Sequence, residues 1–161
     1  MATTRCGIGY DAHRLVSGRK LILGGVEIAH SLGLEGHSDA DVISHAIADA
    51  LLGAIGESDI GHQFPNTDES IRGISSLALL ERVAELLRKK NARVVNVDAT
   101  LLAEAPKIAP HISAMRERVS AALGISASDV SIKATTNEGL GAIGRNEGMA
   151  AMAVAAVELH A

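Results

Sequence analysis

Aromatic side chains are nearly absent: there is no tryptophan, and Tyr10 and Phe64 stand alone in a chain of 161 residues. A core built from such a chain must pack aliphatic side chains, many of them alanine, and small residues let elements approach closely within a chain or between chains. Cysteine is scarce as well. Cys6 is the single thiol, which excludes an intrachain disulfide and suits a reducing compartment. Long hydrophobic runs are missing: the longest apolar stretch, Gly148 to Val157, is too short to span a bilayer. The start MATTRCGIGY has no basic-then-apolar signal pattern, and these features together predict a soluble, cytoplasmic protein. Positive charge is not in excess either. The net charge is -4, and no aromatics interleave with Lys and Arg, which argues against a nucleic-acid surface. The one basic cluster, Arg88, Lys89, Lys90 and Arg93, closes a predicted helix, where cations complement the helix dipole. What remains is 47% apolar and 21% charged, enough for one domain over residues 1–161 with a real core.

Hydrophobic periodicity divides the chain into alternating elements. Residues 6–13 read as a strand, with Cys6, Ile8 and Tyr10 on a packed face and Gly7, Gly9, Asp11 and His13 on a functional one. KLILGGVEI (20–28) reads as a hairpin turning at Gly24 and Gly25. Helical spacing runs from Asp39 to Ile55, with Ser38 expected as its N-cap in an S-x-x-D capping box. A polar loop, GESDIGHQFPNTDES, follows. Ser75 to Lys90 is a second amphipathic helix. Arg93 to Leu102 is a strand with Val95, Val97, Ala99 and Leu101 inward, stopped by Pro106. A third helix is expected from about Pro110 to Leu123, ended by Gly124. Val130, Ile132 and Ala134 mark another strand. GMAAMAVAAVEL fits a helix by propensity, but Met149, Ala151, Ala153, Ala155 and Val157 fit period two, which favours a strand packed on both sides. The order predicts an α+β fold: a mixed four-stranded sheet, helices on one face, and a small hairpin.

Two groups of residues could carry chemistry. Asp11 and His13, two apart on a strand, project from the same face, and His45 in the first helix can supply a third ligand. Two imidazoles and a carboxylate are the donor count of a catalytic zinc site, with one position left open. Asp41 or Asp49, each four residues from His45, could fix its tautomer. His37 and Ser38 lie where that helix begins, a location that favours anions. The second group is KATTNEG (133–139), where Thr135 and Thr136 end a strand and Glu138 could hold a hard cation beside a substrate phosphate. His62, His30, His111 and His160 read as structural or solvated.

GYDAHR, GHSDADVISHAIADALLGA, DIGHQFPNTD, AEAPKIAPHI and KATTNEGLGAIGR, in that order and spacing, resemble the successive blocks of the 2-C-methyl-D-erythritol 2,4-cyclodiphosphate synthase family of the non-mevalonate isoprenoid pathway. The resemblance runs the whole length. It implies an intramolecular phosphoryl transfer on 4-diphosphocytidyl-2-C-methyl-D-erythritol 2-phosphate that releases CMP. Carried over by position, Asp11, His13 and His45 match zinc ligands, and Glu138 matches the ligand of a second divalent ion, Mg2+ or Mn2+. His37 with Ser38, and Thr136, match residues that hold phosphates and stabilise the transition state. Asp59, Ile60 and Gly61 match the methylerythritol segment, and Phe64, Pro65, Asn66, Thr67 and Asp68 the mobile loop beside it.

The cytidine pocket is matched by Ala103, Glu104, Ala105, Pro106, Lys107, Ile108 and Ala109, together with Ala134, Thr135 and Thr136, and Asn137 beside Glu138 is a further substrate-binding position. The resemblance also implies a homotrimer around a three-fold axis, with active sites at subunit junctions and an axial cavity that Ala142 and Arg145 would face. Three positions depart from the family pattern: Asn66 where aspartate is commoner, Asn137 where threonine is frequent, and Ala142 where a bulky aromatic often stands. Two other readings suit the same residues: a metal-dependent phosphohydrolase that activates water, and a non-catalytic trimer that binds a nucleotide or an isoprenoid.

Overall fold

The computed structural model describes residues 1–65 and 67–160, with Ser70 described by its backbone alone. Twelve strands and helices succeed one another. They begin with β1 (Ala2–Ser17), β2 (Leu21–Leu23), β3 (Val26–Ile28) and β4 (Leu32–Leu34), then α1 (Val42–Ala54), α2 (Ile60–Gln63) and α3 (Ser76–Lys89). The second half runs β5 (Ala92–Leu102), α4 (Ile112–Leu123), β6 (Val130–Thr135), α5 (Gly141–Gly144) and β7 (Gly148–His160). The main sheet has five strands in the order β4-β1-β7-β5-β6, one more than the periodicity predicts. The extra strand, β4, is three residues long and pairs only with the end of β1, too short to show a period.

The fold class is otherwise as expected: a mixed sheet in which β5 and β6 run parallel and the other pairs antiparallel. The C-terminal segment is a strand, paired with β1 from Ala2↔His160 to Arg14↔Gly148. Gly24 and Gly25, with φ of 55° and 73°, make the two-residue turn of the β2–β3 hairpin, a conformation that needs positive φ at both positions.

The face of β1 that packs is the reverse of the expected one. Gly7 and Gly9 turn toward α1, so close that a Cβ at Gly7 would lie 2.0 Å from the Ala50 carbonyl oxygen and one at Gly9 1.9 Å from that of Ala46. Helix α1 answers with small residues: Ala46, Ala50 and Ala54 are buried. Cys6, Ile8 and Tyr10 instead lie on the other face with Met152 and Val154, and Ile8 and Tyr10 are 67% and 60% exposed. The last strand is therefore covered on one side of the single chain. Met149, Ala151, Ala153, Ala155 and Val157 are buried beneath the helices, and Met152 and Val154 are open.

Two further expectations shift. Val95 is exposed while Val94 is buried, because a bulge between Val94 and Asn96 changes the phase of β5 against β7. Helix α1 is capped by Asp41, not Ser38: the Asp41 carboxylate accepts the N–H groups of Ile43 and Ser44. Ser38 Oγ accepts from Ala40 N–H at 3.0 Å, and Ala40 at φ 56° breaks any helical start there.

Candidate metal centre and substrate cavity

The close packing of α1 on the glycine face of β1 carries His45 over the strand just where Asp11 and His13 project. Asp11 Oδ2 lies 2.8 Å from His13 Nε2 and 3.0 Å from His45 Nδ1, and the two imidazole nitrogens are 3.2 Å apart. Among the described residues this is the one cluster of three His, Cys, Asp or Glu side chains whose ligand atoms converge as a metal site requires. Ligands about 2.0–2.1 Å from a tetrahedral Zn2+ would stand roughly 3.3 Å from one another, so the observed triangle needs to open by only a few tenths of an ångström. The donor set fits zinc or a similar borderline cation.

The orientation of each ring is set by its other nitrogen. His13 Nδ1–H donates to the Glu35 carbonyl at 2.7 Å, which turns Nε2 toward Asp11. His45 Nε2 lies 2.9 Å from Ser76 Oγ and 3.1 Å from Ser38 Oγ. Neither Asp41 nor Asp49 hydrogen-bonds this ring, contrary to the expectation from i, i+4 spacing. Asp41 is fully buried beneath the hairpin, accepting from Gly24, Gly25 and Ser44. Asp49 Oδ1 accepts the N–H of Ile60 at 2.7 Å, a tie between α1 and the 59–61 segment that spacing could not show.

Electrostatics agree with a cation-binding pair. Burial by itself would raise the Asp11 carboxyl, yet hydrogen bonds and charge from His13 and His45 outweigh it and hold Asp11 far below the usual carboxylate range. Burial also disfavours the His13 imidazolium, but pairing with Asp11 raises its pKa above the ordinary value. A proton sits where a metal would compete for it.

Beside the triad opens a cavity of about 220 Å3, lined by His13, His37, Ser38, His45, Gly61 and Phe64 among others. The backbone flanking His37 is pinned by Arg19, whose guanidinium donates to the carbonyls of Gly36 at 2.9 Å and Ser38 at 2.7 Å. Arg19 carries no motif signal and was not legible as a site residue. Ser38 Oγ accepts from Ala40 N–H and lies 3.1 Å from His45 Nε2. Asp59 caps α2 and pairs with His62 Nδ1 at 2.9 Å. That hydrogen bond holds the exposed Asp59 carboxyl below its ordinary range. Ile60 and Gly61 follow on the cavity wall. The Phe64 ring carries Arg82 above it, 5.9 Å from the centroid. Pro65, Thr67 and Asp68 are exposed, and Asn66 lies outside the described residues.

The second group assembles elsewhere. Ala103 N–H donates to the Thr135 carbonyl at 3.0 Å, and Glu104 Oε1 accepts the Asn137 N–H at 2.8 Å, so segments 103–109 and 134–138 form one corner. Thr136 Oγ1 donates to Glu138 Oε1 at 3.0 Å. Ala105 and Pro106 are joined by a cis bond, Lys107 and Ala109 are on the surface side, and Ile108 anchors the segment in the core. Ala142 lies in a separate hollow with His13 and Met149, and Arg145 pairs with Glu147 at 2.6 Å.

Sheet register fixes how far this corner is from the triad. Asp11 pairs with Ala151, Ala151 with Leu101, and Leu101 with Ala134. Three strand spacings separate the two ends of that row, about 14 Å. The strand that leads into this corner thus stands three strands across the sheet from Asp11.

Comparison with known proteins bears directly on this arrangement. The YgbB family model matches residues 4–158. The chain belongs to the YgbB family. It is 58% identical over 153 residues to the 2-C-methyl-D-erythritol 2,4-cyclodiphosphate synthase of Alkaliphilus metalliredigens, covering 95% of this chain and 96% of that one. With the synthase of Symbiobacterium thermophilum it shares 60% over 151 residues, 94% of this chain and 96% of the relative.

Among solved structures, the Plasmodium falciparum IspF complex with CDP superimposes with a TM-score of 0.85 at 34% identity, covering 98% of this chain and 97% of that one. The bifunctional IspDF of Campylobacter jejuni matches with a TM-score of 0.95 at 35% identity. The match takes in 99% of this chain but 43% of the bifunctional one, so the family fold there occupies less than half of a longer protein.

Proposed function

We propose that the protein closes a cyclic diphosphate: it converts 4-diphosphocytidyl-2-C-methyl-D-erythritol 2-phosphate into 2-C-methyl-D-erythritol 2,4-cyclodiphosphate and CMP, a phosphorus–oxygen lyase reaction. The observation that carries this reading is the convergence of Asp11 Oδ2, His13 Nε2 and His45 Nδ1 at a cavity walled by His37, Ile60 and Gly61. An oxygen of the 2-phosphate attacks the β-phosphorus. The bond from that phosphorus to the bridging oxygen breaks, and CMP leaves with the oxygen and its electron pair. Such transfers ask little covalent work of side chains; positioning and charge neutralisation supply the acceleration.

Asp11, His13 and His45 would hold Zn2+, and Glu138 an Mg2+ or Mn2+; bound cations offset phosphate charge and align the reacting groups. His37, on backbone held by Arg19, faces the same cavity and can donate to a phosphate oxygen. Asp59, with Ile60 and Gly61 on the cavity wall, suits the hydroxyls of the methylerythritol unit. Thr136 offers its hydroxyl to the diphosphate beside Glu138, and the 103–109 segment with Ala134, Thr135 and Asn137 suits the cytosine and ribose. Phe64, Pro65, Asn66, Thr67 and Asp68 border the sugar end.

The distance of about 14 Å across the sheet between Asp11 and Ala134, on the strand that leads to Glu138, supports a site completed by a second copy of the chain. A homotrimer would bring the Glu138 corner of one subunit to the triad of the next. The open apolar face of Ile8, Tyr10, Met152 and Val154 suits burial around a three-fold axis, with Ala142 and Arg145 at its end. Among the described residues no helix is long and apolar enough to cross a membrane, and a cytoplasmic enzyme is the reading in keeping with that.

The test is product analysis by mass spectrometry in 18O-labelled water. Ring closure gives an unlabelled cyclic diphosphate together with CMP. A linear product carrying 18O would establish a phosphohydrolase instead, and absence of any turnover with tight nucleotide binding would establish a binding module.

A further inference from the structure

His45 meets the Asp11–His13 pair with Nδ1, the ring nitrogen nearer its own backbone. Its Nε2 therefore points into the gap between α1 and the start of α3, where Ser76 Oγ stands 2.9 Å away and Ser38 Oγ 3.1 Å. A hydroxyl can either donate to a ring nitrogen or accept from it, and the direction decides which nitrogen of the neutral ring keeps a lone pair. If Ser76 donated to Nε2, the hydrogen would sit on Nδ1 and block a cation there.

Ser76 has one hydrogen to give, and its other neighbour settles where it goes. Ser76 Oγ is in hydrogen-bond contact with Asp39 Oδ1, and an ionised carboxylate only accepts. The Ser76 hydrogen is therefore drawn to Asp39, its lone pairs face His45, and Nε2 carries a hydrogen toward Ser76. Ser38 Oγ accepts from Ala40 N–H and stands 3.5 Å from Ser76 Oγ, to which its own hydrogen can turn.

Asp39 cannot easily swing away from this duty. Its Oδ2 accepts the Ser76 N–H at 3.0 Å, its Oδ1 accepts the Asp41 N–H at 3.2 Å, and its own N–H donates to Ile74 at 3.1 Å. The carboxylate thus ties the first turn of α3 to the cap of α1, and Ser76 is 1% exposed, out of reach of water that could replace it.

We infer that Asp39 and Ser76 are positioning residues that hold a hydrogen on His45 Nε2, so that Nδ1 is the nitrogen left to a divalent cation bound with Asp11 and His13. The inference rests on the metal-site reading above and assigns a role to two residues that touch neither cation nor substrate. A metal-bound histidine commonly donates its remote N–H to a carboxylate, carbonyl or water. Here the serine hydroxyl stands between ring and carboxylate, and the start of α3 becomes part of the metal site.

The test reads metal binding and tautomer rather than turnover. Zn2+ affinity of the full chain is measured by competition with a chromophoric chelator for the parent, Ser76→Ala and His45→Ala. Ser76→Ala is expected to bind about 10- to 100-fold more weakly than the parent. 15N NMR of the imidazole nitrogens in the metal-free parent is expected to show a hydrogen on His45 Nε2, whether or not Nδ1 also carries one toward Asp11, a result independent of how any variant folds. A His45 Nε2 without a hydrogen in the parent overturns the inference. So does a Ser76→Ala affinity within about twofold of the parent while His45→Ala binds poorly, and in that case the metal site itself stands. Parent-like affinity in His45→Ala overturns both.

Discussion

The carboxylate of Asp41 accepts the backbone N–H of Gly25 at 2.7 Å, joining the cap of α1 to a hairpin turn sixteen residues earlier in the chain. The same side chain accepts from Gly24, Ile43 and Ser44 N–H and from the Ser44 hydroxyl. Burial pushes the Asp41 carboxyl up, and the Ser44, Gly24 and Gly25 donors pull against that shift. Asp41→Ala strands several buried donors at once. It is expected to lower folding stability by about 3–5 kcal/mol, the range for breaking a buried charged network, read from urea denaturation midpoints.

A second stability prediction concerns the contact that builds the metal site. Gly9→Ala would place a Cβ 1.9 Å from the Ala46 carbonyl oxygen, and neither backbone can yield without moving His45. The expected cost is at or above the roughly 1–3 kcal/mol typical of overpacking, with Zn2+ binding weakened in the fraction that still folds. Gly18→Ala, where nothing lies within 4 Å of the added carbon, serves as the comparison: it tests positive-φ strain without a clash. Equal losses in the two variants would show that close approach is not what matters at Gly9.

Metal removal should stop the reaction without unfolding the chain, because forty-one buried apolar side chains hold the core apart from the site. Chelation is expected to abolish CMP release and Zn2+ to restore it, with far-UV circular dichroism unchanged throughout. CMP release that persists after full metal depletion, checked by elemental analysis, would contradict the mechanism.

The separation between Asp11 and the strand leading to Glu138 makes a prediction about mixed assemblies. His13→Ala and Glu138→Ala proteins are each expected to be inactive. Dissociated and reassembled together, they should recover part of the parent activity, since some junctions would pair an intact triad with an intact Glu138. Mass-tagged subunits confirm the exchange; exchange without recovery would place both halves of the site in one chain.

Assembly itself can be tested on the open face of the sheet. Val154→Glu puts a charge among Ile8, Tyr10 and Met152 and is expected to shift the protein from trimer to monomer in sedimentation velocity, with circular dichroism retained. A parent-like sedimentation coefficient would show that this face is not the contact.

The candidate metal ligands were legible in sequence because their logic is local. Asp11 and His13 share a strand face by period two, and His45 stands on an apolar helix whose stripe is set by period 3.6. The helices, the hairpin and the terminal strand follow from the same periods. Spacing failed where partners are distant. Asp41 and Asp49 looked like partners of His45 because they are four residues away, yet their acceptors are claimed by Gly24, Gly25 and Ile60 from other elements. The face of β1 was misjudged because glycine reads as an open surface, whereas here it marks the closest backbone approach in the fold.

The sequence by itself therefore determined which residue types could bind a cation, the α+β class, and, through ordered motif blocks, the family. Tertiary structure alone decided which side of β1 faces the helix, which hydroxyls meet the far nitrogen of His45, and that the strand leading to Glu138 lies three strands from Asp11. The physical reason is the same in each case. A periodic pattern fixes where side chains point relative to their own backbone. Which neighbour they meet depends on how closely two elements pack, and that distance is set by residues such as Gly7, Gly9, Ala46 and Ala50 whose side chains carry almost no signal of their own.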